Sequence, residues 1–197
     1  MSTHNFCLTS MLICTTACLF LVNCGNDEND DPEIIEIGAL HQGGIIFYLN
    51  AGGTGGLICA LNDQSASAVW CDDVSEINGA DGTAIGTGNQ NTLDILAGCQ
   101  PSQETAAGLC ANLISNGQDD WYLPSLDELA TLHTNLVVVN TRLTSQGGTA
   151  IAADIYWTST ELNVGSNSSA MTYDMDIGTQ GTLTKFGTAR VRAIRSF

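Results

Sequence analysis

The sequence predicts an α+β domain, and three observations carry that expectation. Runs rich in β-branched and aromatic residues stand near both ends of residues 34–197, as "GGIIFYLN" (Gly43 to Asn50) and "ARVRAIRSF" (Ala189 to Phe197). Two segments between them space their apolar residues as helices do. Three further strand-like runs, "YWTSTEL", "AMTYDMD" and "TLTKFG", follow the second of these helices.

Taken from the N-terminus, Phe6 to Val22 ("FCLTSMLICTTACLFLV") is an apolar run diluted by Thr9, Ser10, Thr15 and Thr16. Its length suits a secretory h-region and is short for a membrane-spanning helix. It ends in "LVNC" (Leu21 to Cys24), which resembles a lipobox, although the n-region holds His4 and no Lys or Arg, and Asn23 stands where a smaller residue is usual. Residues 1–23 are therefore expected to be a lipoprotein signal peptide and Cys24 the lipidated residue; an uncleaved N-terminal anchor is the alternative. Residues 24–33 form an acidic tether with too little apolar content to fold. An acidic run behind a lipidated cysteine is similar to the surface-export signal of some outer-membrane lipoproteins. The expected location is thus the cell envelope, on the outer membrane and surface-exposed, with the membrane reached through the lipid.

Residues 34–197 have the length of one domain. After the Gly43–Asn50 strand, "AGGTGG" turns the chain and "LICAL" (Leu57 to Leu61) returns as a second strand. Asn62 to Pro101 is polar, Gly-rich and too long for an ordinary connection, so it is expected to be a loop-rich insertion. Within it "TAIGTGNQNTLDI" imitates a dinucleotide fingerprint, but Asn91 replaces the third glycine and no βαβ unit surrounds it; it reads as a turn-rich loop. "SQETAAGLCANLISNG" sets Ala106, Leu109, Cys110 and Leu113 on one helical face and ends at Asn116-Gly117, a glycine cap. In "DWYLPSLDELATLHTNL" Ser125 caps a second helix and Glu128 completes a capping box, with Leu126, Leu129, Leu132 and Leu136 as its apolar stripe. Pro124 fixes the backbone ahead of the cap, and Trp121 and Tyr122 are wedged at the helix start.

Charge and cysteine usage narrow the function. The formal net charge is −16, and all five basic residues (Arg142, Lys185, Arg190, Arg192, Arg195) lie in the last third, so no nucleic acid is expected as a partner. Cys7, Cys14 and Cys18 fall in the signal segment, and Cys24 takes lipid. Cys59, Cys71, Cys99 and Cys110 remain, an even number for an oxidising compartment, with no C-x-x-C pair to suggest zinc. Cys99 with Cys110 is the expected disulfide, because a helix between them would carry Cys110 on its buried face; Cys59 then pairs with Cys71.

The segments "QGGIIFYLN", "GLICALNDQS", "GTAIGTGNQNT", "AAGLCANL", "DWYLPSLDEL", "YWTSTE" and "VRAIRSF" occur in an order that resembles the Lcl C-terminal domain family, over Ile37 to Phe197. The element order is also similar to the C-type lectin-like fold, and the W-x-L-P-S-x-x-E-L helix start to one in formylglycine-generating enzymes. The resemblance implies a twisted antiparallel sheet with paired terminal strands and two helices. Ile45–Leu49 would then pair with Val191–Phe197, and the Ser125 helix would lie on that sheet. It also implies ligand or adhesion work, since the adhesin that names the family binds sulfated glycans. Five basic residues against twenty-one acidic ones are at odds with a sulfated ligand, and the calcium-lectin ligand segments are absent.

The candidate ligand-binding residues are Asp72, Asp73, Glu161, Asn163 and Asn167, on the insertion, on "YWTSTE" and on the loop Asn163–Ser169. For Glu161 the competing role is an internal ion pair with Arg192 or Arg195. Trp121, Pro124, Ser125, Glu128, Trp157, Arg192 and Arg195 are expected to be structural. Asp63, Asp72, Asp73, Glu76 and Asp81 could supply oxygens to calcium, but their spacing matches no loop motif, and no metal or other cofactor is expected. No G-x-S-x-G elbow is present, His41 and His133 have no catalytic partner at a recognisable spacing, and Asp127 and Glu128 point to different helix faces. The chain is therefore read as a non-catalytic binding or adhesion module for a glycan or a protein; a structural envelope lipoprotein without a small ligand is the alternative.

Overall fold

In Gly43–Asn50 apolar side chains occupy consecutive positions where a half-buried strand would alternate, and the computed structural model of the protein shows why: this strand is covered on both faces. The structure describes residues 35–73, 75–99, 104–162 and 169–197. Strand β1 (Leu40–His41) turns through Gln42 and Gly43 into β2 (Gly44–Leu49), which pairs antiparallel with β3 (Gly56–Ala60). Both turn residues have positive φ, 45° at Gln42 and 87° at Gly43, the handedness that matches hairpin twist. Ile45, Phe47, Leu57 and Cys59 face one core, while Ile46, Ile58 and Ala60 face another.

Two sheets are built. The first has the order β1-β2-β3-β9, where β9 is Ile194–Ser196. The second has the order β4-β8-β5-β6-β7, from β4 (Ser65–Val69), β8 (Thr188–Val191), β5 (Ile155–Glu161), β6 (Ser169–Asp174) and β7 (Thr179–Thr184). It is mixed: β5 and β8 run parallel through Tyr156↔Arg190, and the other pairs are antiparallel. The terminal run therefore serves both sheets, changing from one to the other at Arg192–Ala193. The expected pairing of Ile45–Leu49 with the terminal strand does not occur. β2 already uses its two edges for β1 and β3, so β9 takes the free edge of β3 instead, through Leu57↔Ser196, Ile58↔Arg195 and Cys59↔Ile194. On its other side Ile194 bridges to Tyr122, with N–H···O bonds of 2.8 and 3.0 Å.

Four helices, where two were expected, stand among the described residues: α1 (Gly88–Gly98), α2 (Ala106–Ala111), α3 (Leu126–Thr134) and α4 (Leu136–Ser145). Asn62–Pro101 is thus no loop-rich insertion throughout, since it contains β4 and α1. The "TGNQNTLDI" stretch read as a loop is mostly helix. Its buried positions, Gly88, Asn91, Thr92 and Ile95, keep i, i+3, i+4, i+7 spacing, but three of the four are not apolar, so the usual hydrophobic signal is missing. α2 ends before Asn116-Gly117, which is a separate left-handed turn (φ 52° and 74°) closing Ser115 onto Gln118.

α3 and α4 cover one face of the first sheet. Leu126, Leu129 and Leu132 are buried beside Ile45 and Phe47, and Val139 and Leu143 continue the layer from α4. Leu136 belongs to α4, because the helix breaks at Asn135, whose Nδ2 donates to the Phe47 carbonyl at 2.9 Å. On the opposite face α1 and α2 bury Ile95, Ala106, Ala107 and Cys110 against Ile58, Trp70 and Trp157.

The disulfide joins Cys71 to Cys99, and Cys59 and Cys110 are free and buried. Neither expected pairing forms. Cys59 faces the α3–α4 core, whereas Cys71, Cys99 and Cys110 lie in the other, and there the end of α1 brings Cys99 to the end of β4. Closing a loop of 28 residues in sequence separation contributes about 3–4 kcal/mol by chain entropy.

Because Leu129 has no exposed surface and sits at the centre of the α3–sheet contact, Leu129→Ala is expected to destabilise the domain by about 2–5 kcal/mol in a denaturant titration. A change under about half a kilocalorie would remove this stripe from the core.

Candidate functional site

Ser125 is extended (φ −68°, ψ 173°), so the chain enters α3 abruptly after Pro124, and its hydroxyl accepts from the Glu128 N–H. Glu128 answers with Oε2 on the Ser125 N–H at 2.7 Å, completing the capping box. The same carboxylate also serves α1, since its Oε1 accepts from the Gly86 N–H at 2.8 Å, just ahead of that helix. The α1 cap residue, Thr87, makes no side-chain cap bond and instead donates its hydroxyl to the Ala84 carbonyl at 2.7 Å. Glu128 thus supplies the negative group at the starts of both helices. Gly88 is required for the approach, since a Cβ there would stand 2.3 Å from Glu128 Oε2. Burial pushes the Glu128 carboxyl up, and the N–H bonds from Ser125, Gly86 and Gly88 oppose that shift.

Around this carboxylate three sequence motifs close on one another. Asn91 accepts from the Gly82 N–H at 3.2 Å and donates from Nδ2 to the Gly82 carbonyl at 2.7 Å and to Ser159 Oγ at 3.2 Å. Thr160 Oγ1 donates to the Gly82 carbonyl at 2.8 Å and accepts from the Leu126 N–H at 3.2 Å. The Ser159 N–H reaches the Pro124 carbonyl at 2.7 Å. Trp121, Tyr122, Pro124, Ser125, Glu128 and Trp157 are all buried here, and the Trp157 Nε1–H donates to the Ala68 carbonyl at 2.7 Å.

The arginines of "ARVRAIR" are held by three acids, Asp63, Asp120 and Asp154, the last taking Arg190 at 2.8 Å. Arg192, fully buried at the change of sheets, pairs with Asp63 at 2.7 Å and donates to the Ala60 and Thr149 carbonyls at 2.8 and 3.1 Å. Asp63 also takes Arg190 at 3.1 Å and the Tyr156 hydroxyl at 3.0 Å; burial first, then Asp63, pushes that phenol up to about 12. Arg195 grips Asp120 with two bonds of 2.5 and 2.9 Å and donates to Gln42 Oε1, at the left-handed turn residue. None of these arginines meets Glu161, contrary to the expected ion pair. Asp63, counted among possible calcium ligands, is consumed by the two guanidinium groups.

Glu161 is buried, which removes it from the exposed ligand-binding residues, and its partner is Lys185. Lys185 follows β7 and turns inward, donating to the Ser75 carbonyl at 2.6 Å with the Trp70 ring 5.2 Å away. Glu161 Oε2 accepts from the Ile77 N–H at 2.8 Å and the Glu161 N–H reaches the Ala80 carbonyl at 2.6 Å. Segment 75–80 is therefore tied to the end of β5, where the Leu162 N–H meets the Ser169 carbonyl at 3.1 Å. Asp72, Asp73, Glu76 and Asp81 are exposed along this stretch, while Asn163 and Asn167 lie outside the described residues. Among the described residues no three His, Cys, Asp or Glu side chains form a metal-holding group. Lys185, Asp120 and Gln42 escaped the sequence reading; the available signal was that Lys185 is the only lysine in the chain.

Fold and site define an α+β domain of two sheets whose Gly82–Thr92, Trp121–Glu128 and Trp157–Glu161 segments meet in one buried polar joint. The chain belongs to the Lcl C-terminal domain family, whose model matches residues 60–195. No curated protein matches the chain at a significant level.

Two outcomes follow for the joint and its neighbour. Glu128→Gln keeps the shape but turns an amide donor toward one of the N–H groups, so it is expected to cost about 1–3 kcal/mol by thermal or denaturant unfolding. A neutral result would show that the two helix starts need no shared acceptor. Arg195 holds the Asp120 carboxyl below its ordinary 3.8. That pairing contributes stability fully present above 3.8 and lost as pH falls through the lower folded-state value. Across about pH 2–5 the stability of Asp120→Asn should fall less steeply than that of the parent, and equal slopes would show the pair to be without linkage.

Proposed function

We propose that this protein is a surface-anchored lipoprotein whose domain binds a glycan or a protein without catalysis, through the polar segment 72–81 at the end of the five-stranded sheet. The observation that carries the reading is the fixing of that segment. The Cys71–Cys99 disulfide closes its start, and Glu161 and Lys185 hold its interior, yet Asp72, Asp73, Glu76 and Asp81 stay exposed. A loop held rigid by buried groups while it presents polar side chains loses little entropy on binding. The family motifs, by contrast, are occupied internally, so recognition is assigned to the surface around them. The reading includes a lipid on Cys24, an outer-membrane location and a C-type lectin-like arrangement; in favour of the last, the terminal strand β9 closes onto the β2–β3 hairpin. Acidic and amide side chains suit neutral sugar hydroxyls or a basic protein surface and repel sulfate.

The test is a glycan array and a pull-down from surface extracts with the purified protein, each repeated with Asp72→Asn/Asp73→Asn. Binding that falls about tenfold or more in the double variant at unchanged melting temperature supports the assignment. Binding that survives the double variant moves recognition elsewhere. Absence of any partner in both assays favours a purely structural envelope role, the second reading, which the inward-facing motifs support.

A further inference from the structure

The chain's only lysine, Lys185, has no exposed surface and is pressed against a buried glutamate at the end of β5, Glu161. A fully charged buried pair carries a desolvation penalty that its attraction barely offsets. Here the surroundings are those of an acyl-transfer centre. The Ile77 N–H points at Glu161 Oε2 from 2.8 Å, the Ser75 carbonyl fixes Lys185 Nζ from 2.6 Å, and Oε1 meets Nζ and accepts no other bond among the described residues. Trp70 walls the nitrogen on another side at 5.2 Å from its ring centre. Burial pushes the Glu161 carboxyl up, Lys185 opposes, and exposed Glu76 lies close enough to push it further the same way.

We propose that Lys185 and Glu161 condense into an intramolecular amide, a self-made covalent crosslink between the end of β5 and the turn after β7. The ammonium first passes a proton to Oε1, the carboxylate oxygen it touches, leaving a neutral amine and a neutral acid. Nζ attacks Cδ, and the electron pair of the carbonyl bond moves onto Oε2, where the Ile77 N–H stabilises the developing charge. A second proton moves from nitrogen to the Oε1 hydroxyl, so that both protons of the departing water come from the ammonium. The Cδ–Oε1 bond then breaks, and Oε1 leaves as water. Ammonium plus carboxylate gives amide plus water, with no oxidant or external reactant. In free solution hydrolysis wins; two groups held in contact have effective concentrations of about 10⁵–10⁸ M, which tips the balance toward condensation. The inference goes beyond the binding reading and does not depend on it.

Peptide mapping of the purified full chain tests it directly. After folding at neutral pH the chain is denatured, reduced and digested with trypsin, which cannot cut after an amidated lysine. The expected product is one peptide, Leu143–Arg190, lighter than its sequence by one water, about 18 Da. Lys185→Arg keeps a cation opposite Glu161 but offers no amine nucleophile, so it should be cut at position 185 and show full sequence masses. Recovery of 143–185 and 186–190 from the parent at full mass would overturn the crosslink, leaving a plain ion pair. The same loss of water in the Lys185→Arg variant would overturn it too, by placing the dehydration elsewhere.

Discussion

The buried Glu128 carboxylate joins two helix starts that lie about forty residues apart in the chain, and the order of the domain depends on that meeting. A helix start leaves several N–H groups without intrahelical partners, and burying them unpaired is costly. α3 solves this with a local capping box, but α1 has no cap of its own and borrows the same carboxylate through Gly86. With α1 set against the start of α3, Asn91 and Gly82 reach Ser159 and Thr160 on β5. The segment before Gly82 is then delivered to the end of β5, where Ala80 and Ile77 bind Glu161. One anion thus sets the relation of a helix, a strand and the exposed stretch between them.

What could be read from the sequence divides along the range of the interaction responsible. α3 was legible because its cap, its box and its leucine stripe all lie within a few residues. α1 was not, because its buried face is Gly, Asn and Thr, and its capping group stands 42 residues away. The terminal run was legible as strand, but its change of sheet at Arg192–Ala193 was not. Which edge a strand joins is settled by competition with other strands. The disulfide failed for a similar reason: spacing says how far two cysteines are apart in the chain, not which core each one faces or, as for Cys99, which of the cysteines in that core it meets. For Glu161, a ligand candidate whose competing role was an ion pair with Arg192 or Arg195, neither arginine is the partner: Asp63 and Asp120 hold those, and Glu161 pairs with Lys185.

Few of the cations are free to meet a partner at the surface. Lys185, Arg190, Arg192 and Arg195 each have a carboxylate partner, which withdraws four of the five cations from the outer field. Arg142, whose Nε donates to the Gly38 carbonyl at 3.0 Å, is the remaining one, and it is exposed on α4. The basic residues therefore act mainly as internal fasteners.

The division of the terminal run between two sheets bears on the timing of folding. Until residues 188–191 arrive, β4 has no neighbour in its sheet; until 194–196 arrive, the outer edge of β3 and the backbone of Tyr122 stay unpaired. Pairings of such sequence separation are slow, because loop closure must precede any reward in contacts. A chain that emerges N-terminus first would hold both sheets open to the end and then shut them together. Compactness is thus withheld until β8 and β9 are in place.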